Sequence, residues 1–210
     1  IDHDLSDLLA QRIFQVGSGY EDGNDANPLR HDPIFKMAVE RKPLDPDEDL
    51  ASAPTMSRLE NSMTTRDIYR IAVAFVEQFI SSYNSEPEII VLDMDHTEDR
   101  THGQQEFSFF NKYYGSHCYL PLFVFEGLSG KFIAAILRPG KRPTGAENAM
   151  VIKRIVKLLR QHWPETHIVL RGDGHFSNVE LMQIALDDPH TDFIFGLTGN
   201  QVLKRLATPL

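Results

Sequence analysis

The stretch EIIVLDMDHTED, residues 88–99, opens as a short apolar run rich in β-branched side chains and closes on four acids after Leu92. Such a run, bounded by polar residues, reads as a buried β-strand. Strand side chains alternate, so Asp93 and Asp95 fall on one face near its end. Two carboxylates that close repel, and one is pushed towards its protonated form unless a cation neutralises both. Carboxylate oxygens suit a hard divalent ion such as Mg²⁺. A strand running out into a polar turn would also collect acids, so the reading depends on the strands and helices C-terminal to it. An EF-hand loop starting at Asp93 is excluded, because its sixth position is Glu98 rather than Gly and its twelfth is Gln104 rather than Glu.

Two further apolar runs come next in the chain, SHCYLPLFVFEG (116–127) and KFIAAILRP (131–139). They are separated by a turn containing Ser129 and Gly130, which predicts a β-hairpin. Pro143 to Trp163 has helical periodicity, with Ile152, Ile155, Val156 and Leu159 on its apolar side. HIVLRGD (167–173) reads as a fourth strand and DFIFGLT (192–198) as a fifth. Between them Ser177 is placed to cap a helix running to about Leu186, and Gln201–Ala207 reads as a short last helix. Three strands joined by hairpins and then alternating helix and strand is the order of an α/β, ribonuclease H-like fold, a mixed sheet with helices on both faces. In that fold the first and fourth strands are neighbours. Asp173, at the end of the fourth strand between Gly172 and Gly174, would then lie beside Asp95. Two such carboxylates can hold two Mg²⁺ ions about 4 Å apart for phosphoryl transfer, with Mn²⁺ as a substitute.

Outward from this core, the first 85 residues read as helical. Leu5, Leu8, Leu9, Ile13 and Val16 recur at helical spacing, Asp32-Pro33 opens a second helix, and Thr64 or Thr65 caps a long one carrying Ile68, Ile71, Phe75 and Phe79. The expected organisation is a helical region over 1–85 and a catalytic core over 86–210. The 210 residues include one cysteine, Cys118, which excludes a disulfide framework and a Cys-rich zinc module. No run approaches the roughly 18–20 apolar residues of a membrane helix. The net charge of −9 argues, by itself, against nucleic acid. Its distribution argues otherwise: residues 131–171 hold nine basic and two acidic side chains, a balance of +7. Within that block Lys141 and Arg142 precede a helix and Lys153 and Arg154 lie on it. All four are candidate phosphate contacts, although the helical pair also fits an ordinary solvated face.

One rival reading is a haloacid-dehalogenase-like phosphatase, since LDMDHT resembles that family's D-x-D-x-T motif and GDGHFSN its distal acidic motif. That fold would follow the first strand with a helix and parallel strands, whereas here a hairpin is expected. The run VLDMDHTEDRTHGQQEFSFFNKYYGSHCYLPLFVF (91–125) resembles the insertion-sequence transposases of the DDE superfamily, in the subgroup known as transposase DDE domain group 1. AAILRPG, LLRQHWPETHIVLRGDGHF and FIFGLTGN continue the resemblance in order, and LAQRIFQVGSGYEDGNDANPLRHDPIFKMAV resembles the family's helical leader.

The resemblance implies a bacterial transposase, cytoplasmic and associated with the nucleoid. Its partners would be transposon ends and target DNA, on which it self-associates. Three acids on a ribonuclease H-like core would bind two Mg²⁺ ions. The second acid corresponds to Asp173 and the first to Asp95 or Asp93, with Asp95 favoured by the Asp-x-Thr pattern. The third, a glutamate on a later helix, is expected beyond Leu210, so this chain is expected to carry two of three acids and to cleave DNA weakly or not at all. Glu180 is a poor substitute, better read as a solvent-facing helix residue. His102, Gly103, Gln104 and Gln105 match the family without an assignable role. A non-catalytic DNA-binding remnant is the remaining alternative.

Overall fold

The computed structural model describes residues 3–197 and 201–207. The chain forms two compact units, Ile1–Ile68 and Tyr69–Leu210. The first holds helices α1 (Leu5–Gly17), α2 (Ala26–Leu29), α3 (Pro33–Ala38) and α4 (Ala53–Ser62). Its core is small: Ala26, Ala51, Met56 and Leu59, with Leu8 packed against them. The apolar row on α1 only partly serves it, since Leu5, Leu9, Ile13 and Val16 are exposed while Gln11 and Gln15 are buried. Gln11 is admitted because its carboxamide exchanges two 2.9 Å hydrogen bonds with the backbone of Ala51, which satisfies a polar group that would otherwise be costly to bury. Asp32 caps α3 as expected, accepting from the N–H groups of Ile34 and Phe35, with Pro33 in the first turn.

The long helix α5 (Thr65–Ser81) leads into the second unit, where Val76 and Phe79 join the main core. That unit is built on strands β1 (Ile89–His96), β5 (Leu122–Glu126), β6 (Phe132–Ile136), β7 (His167–Gly172) and β8 (Thr191–Phe195). Their order across the sheet is β6-β5-β1-β7-β8. β5 runs antiparallel to both β1 and β6, and β7 runs parallel to both β1 and β8. This is the ribonuclease H-like order, three meandering strands followed by two parallel ones. Helices α6 (Gly145–His162) and α7 (Val179–Asp187) make the crossovers, and α8 (Gln201–Ala207) follows β8. Thr198, expected as the end of the fifth strand, lies outside the described residues. Ile90, Leu92 and Met94 of β1 pack with Ile152, Ile155 and Leu159 of α6 and Leu181 and Ile184 of α7. The opposite face of β1 carries Asp93 and Asp95 and stays partly open.

Two local expectations are corrected. Residues 116–127 are not one strand. Pro121 has no N–H to give a ladder, and the run divides into β4 (Ser116–Tyr119) and β5. β4 then forms a separate small sheet between β2 (Asp99–Arg100) and β3 (Phe109–Asn111). The cap of α7 is Asn178 rather than Ser177, its side chain accepting from the N–H of Leu181 at 3.0 Å.

Candidate active site

The parallel pairing of β1 with β7 sets Asp93 opposite Arg171 and Met94 opposite Gly172. One residue further along, the same register brings Asp95 level with Asp173. The turn that carries Asp173 is fixed by two glycines. A Cβ on Gly172 would lie 2.7 Å from the Phe176 ring, and one on Gly196 would lie 3.0 Å from the backbone nitrogen of Gly174. The Asp173 carboxylate accepts from the N–H of His175 at 2.8 Å, which fixes its direction.

Asp95 and Asp173 line one cleft of about 570 Å³, together with Thr97, Glu98, Tyr113 and Tyr114. Surrounding atoms strip water from the Asp95 carboxyl and raise its pKa, and the negative charges of Asp173 and Asp93 push it the same way. Asp93 is placed differently. Arg171 Nε and Nη2 donate to its two oxygens, each at 2.8 Å, and this pairing holds its carboxyl below the usual range. Glu98 is held low mainly by the Ser116 hydroxyl, with Arg100 at 3.0 Å as a second partner. Behind the acids His96 is buried and stacks on Phe176, with ring centroids 4.8 Å apart. Burial, helped by the positive charge of Arg138, lowers its pKa to about 4, so the ring is neutral at pH 7.

A second cavity of about 430 Å³ shares His96, Tyr113, Tyr114 and His175 with the first and runs on to Lys112, Lys141 and Arg142. Lys141 is steadied there by its ammonium group, 4.0 Å from the centre of the Phe109 ring. Lys153 and Arg154 are exposed on α6 and line neither cavity. Four other cations of the basic block are committed internally, among them Lys131, whose ammonium donates to the carbonyl and hydroxyl of Ser82. Arg171 pairs with Asp93, Arg138 donates to the carbonyl of Glu147, and Arg160 binds Asp188 and the carbonyls of Trp163, Thr166 and His190. Glu180 is exposed, with its carboxylate beside Gly145 rather than in the acid cleft. Lys112, Tyr113 and Tyr114 escaped the sequence reading. Their signal was present as tandem aromatics beside a glycine between two strand-like runs, but the small sheet that brings them to the acids was not anticipated.

A family model described as transposase DDE domain group 1 matches residues 1–210. The chain belongs to that family. Among solved structures, it is 16% identical to the piggyBac transposase in a synaptic complex with hairpin DNA, with a TM-score of 0.48 over 74% of this chain and 33% of that one. It is 12% identical to the Mos1 transposase in a paired-end complex with the left transposon end, with a TM-score of 0.33 over 89% of this chain and 57% of that one. It is 9% identical to the Drosophila P element transposase in a strand transfer complex, with a TM-score of 0.29 over 83% of this chain and 39% of that one. This family member therefore spans about a third of the piggyBac chain and little more than half of the Mos1 chain. None of the curated proteins matches it. Among its described residues no helix is long and apolar enough to cross a membrane, and no three His, Cys, Asp or Glu side chains converge on a point that could hold a metal ion.

Proposed function

We propose that this chain carries part of the catalytic centre of a bacterial insertion-sequence transposase, which cuts DNA at transposon ends and joins the freed strand to a target. The observation that carries the reading is the meeting of Asp95 and Asp173 in one cleft that continues into a groove bearing Lys112, Lys141 and Arg142. The donor set fits a hard cation. Mg²⁺ takes one or two carboxylates and completes its shell with phosphate oxygens and water, and the Asp95 carboxyl, raised first by burial and further by the charges of Asp173 and Asp93, would gain from a neutralising cation. Asp95 and Asp173 are assigned as ligands of two Mg²⁺ or Mn²⁺ ions. When bound, these ions supply charge neutralisation at a phosphodiester and activation of the attacking oxygen.

The chain's own residues do the rest. Asp93 is assigned a supporting place, because both its oxygens are occupied by Arg171. The pair locks β1 and β7 in register immediately before the two acids. His96 lines the cleft and is backed by the buried Phe176 ring stacked against it. Lys141 and Arg142 take backbone phosphates, while Lys153 and Arg154 add non-specific attraction from the helix face. With two carboxylates, this chain is expected to bind metal and DNA but to nick DNA weakly in isolation.

Calorimetric titration with Mg²⁺ and Mn²⁺ tests the assignment. Asp95→Asn and Asp173→Asn should each abolish binding, whereas Asp93→Asn should weaken it less and lower thermal stability more. If Asp95→Ala and Asp173→Ala leave both metal binding and any DNA nicking unchanged while DNA is still bound, the non-catalytic remnant is the better description. Hydrolysis of a small phosphomonoester through an aspartyl-phosphate on Asp93 would establish the phosphatase instead. The antiparallel β5 beside β1 and the Arg171 clamp on Asp93 count against it.

A further inference from the structure

We infer that the turn between β3 and β4, residues 112–115, is a stacking platform for an unpaired DNA base next to the Asp95–Asp173 cleft. The inference rests on the DNA-processing role proposed above and adds a substrate feature to it.

Tyr113 is 82% exposed on a turn whose backbone is held by hydrogen bonds. Its backbone N–H donates to Asn111 Oδ1 at 2.9 Å, and Asn111 Nδ2 in turn donates to the carbonyl of Gly140 at 3.1 Å. The turn closes through a 2.8 Å bond from the N–H of Gly115 to the carbonyl of Asn111, with Gly115 at φ +69°. That left-handed geometry favours glycine. Tyr114 meets Tyr113 edge-on at 4.9 Å between centroids, a contact that covers at most one of its faces. A solvent-facing aromatic ring on an ordered turn offers its face to another planar group.

Position supplies the partner. Tyr113 borders both the acid cleft and the groove holding Lys112, Lys141 and Arg142. A strand whose backbone follows those cations towards the acids would pass its bases over this ring. Within a duplex each base face is already covered by its neighbours, and a terminal pair shows one face only while its bases stay held in the pair, so a base free to turn onto Tyr113 is one released from the helix. The platform therefore selects DNA that is frayed, flipped or single-stranded beside the bond to be broken. Stacking tolerates any base, so no sequence preference is expected from this contact.

The test uses the 210-residue chain and two fluorescein-labelled probes, a blunt duplex and the same duplex with a single-stranded thymine tail, read by anisotropy. The wild-type chain should prefer the tailed probe. Tyr113→Ala should lose about tenfold on the tailed probe, with blunt-duplex affinity unchanged, while Tyr113→Phe and Tyr113→Trp retain the preference. Circular dichroism should show the same fold in all variants. A fluorescent adenine analogue placed at the junction should be quenched by the wild-type chain and not by Tyr113→Ala. If Tyr113→Ala binds both probes like the wild type, or loses both equally, the platform is refuted. It is also refuted if Tyr113→Ala changes the oligomeric state, because the ring then belongs to a protein interface. Failure of the wild-type chain to bind either probe would instead overturn the DNA reading itself.

Discussion

Glu126 shows how much a single buried charge can depend on its neighbours. It is 1% exposed, yet it accepts hydrogen bonds from the N–H groups of Val91, Leu128 and Ser129 and from the Ser129 hydroxyl. Burial alone would raise its pKa, but these donors outweigh it and hold the carboxyl below its ordinary range. Glu126→Gln keeps the shape, removes the charge and turns one acceptor into a donor facing donors. We expect a loss of about 2–3 kcal/mol in urea unfolding. In the helical unit Asp49 plays a comparable part, 2.7 Å from the buried Lys36 ammonium and 2.7 Å from His31 Nδ1. Asp49→Asn should cost about 3–5 kcal/mol by leaving Lys36 uncompensated. The Lys36 contact, first among its partners, lowers the Asp49 pKa, and Asp188 is lowered too, where the bond from Arg160 overcomes burial. A carboxylate whose folded pKa lies below its unfolded value contributes its full stability above the unfolded value and loses it as pH falls through the folded one. The carboxylate share is lost below about pH 4. His96 adds an earlier loss, because its buried ring stays neutral down to about 4 while the unfolded chain takes up the proton below about 6.5. Thermal melts should therefore start to fall below about pH 6.5 and fall more steeply below about pH 4. None of these roles was legible in the sequence, because Glu126 ends an apolar strand-like run and Asp49 sits in an acidic stretch, while partners such as Val91 and Lys36 lie far from them in the chain.

At the scale of elements, the strands of the main sheet and helices α5, α6 and α7 were legible from periodicity, although on α5 Ile68, Ile71 and Phe75 are exposed and only Val76 and Phe79 are buried. Their ends were less so. Ser177 and Asn178 are both good cap residues, and only the backbone path from Phe176 decides which side-chain oxygen meets the N–H of Leu181. Asn178→Ala should destabilise the chain by about 0.5–2 kcal/mol, whereas Ser177→Ala should change it by only a few tenths, as measured by chemical denaturation. The break at Leu120-Pro121 has the same kind of cause. Apolar character runs straight through the segment, and the missing N–H of Pro121 together with competing pairing from β2 and β3 divides it. Gln11 and Gln15 on α1 are the converse case, polar residues buried where periodicity offered leucines and an isoleucine, and the Ala51 backbone that accepts Gln11 lies forty residues away in sequence.

Over the whole molecule, the charge of −9 is a sum that conceals its useful part. The structure further divides the basic block into cations held by internal partners and cations left for an external one. The salt dependence of DNA binding should separate them. Changing Lys141 and Arg142 together to Ala should lower the slope of log K against log salt by about 2. Arg160→Ala should leave that slope unchanged and lower stability, because its guanidinium is spent on Asp188 and three backbone carbonyls. The sequence by itself determined the family and the order of the main strands and helices, and it supplied Asp93, Asp95 and Asp173 as candidate acids, since these reside in local patterning and short motifs. Tertiary structure alone decided that Asp93 rather than Asp95 is tied to Arg171, that Lys141 and Arg142 but not Lys153 and Arg154 line the groove, and that Tyr113 stands at the cleft. Each of those depends on strand register and on pairings between residues distant in the chain, which fix where a side chain points and which partner it meets.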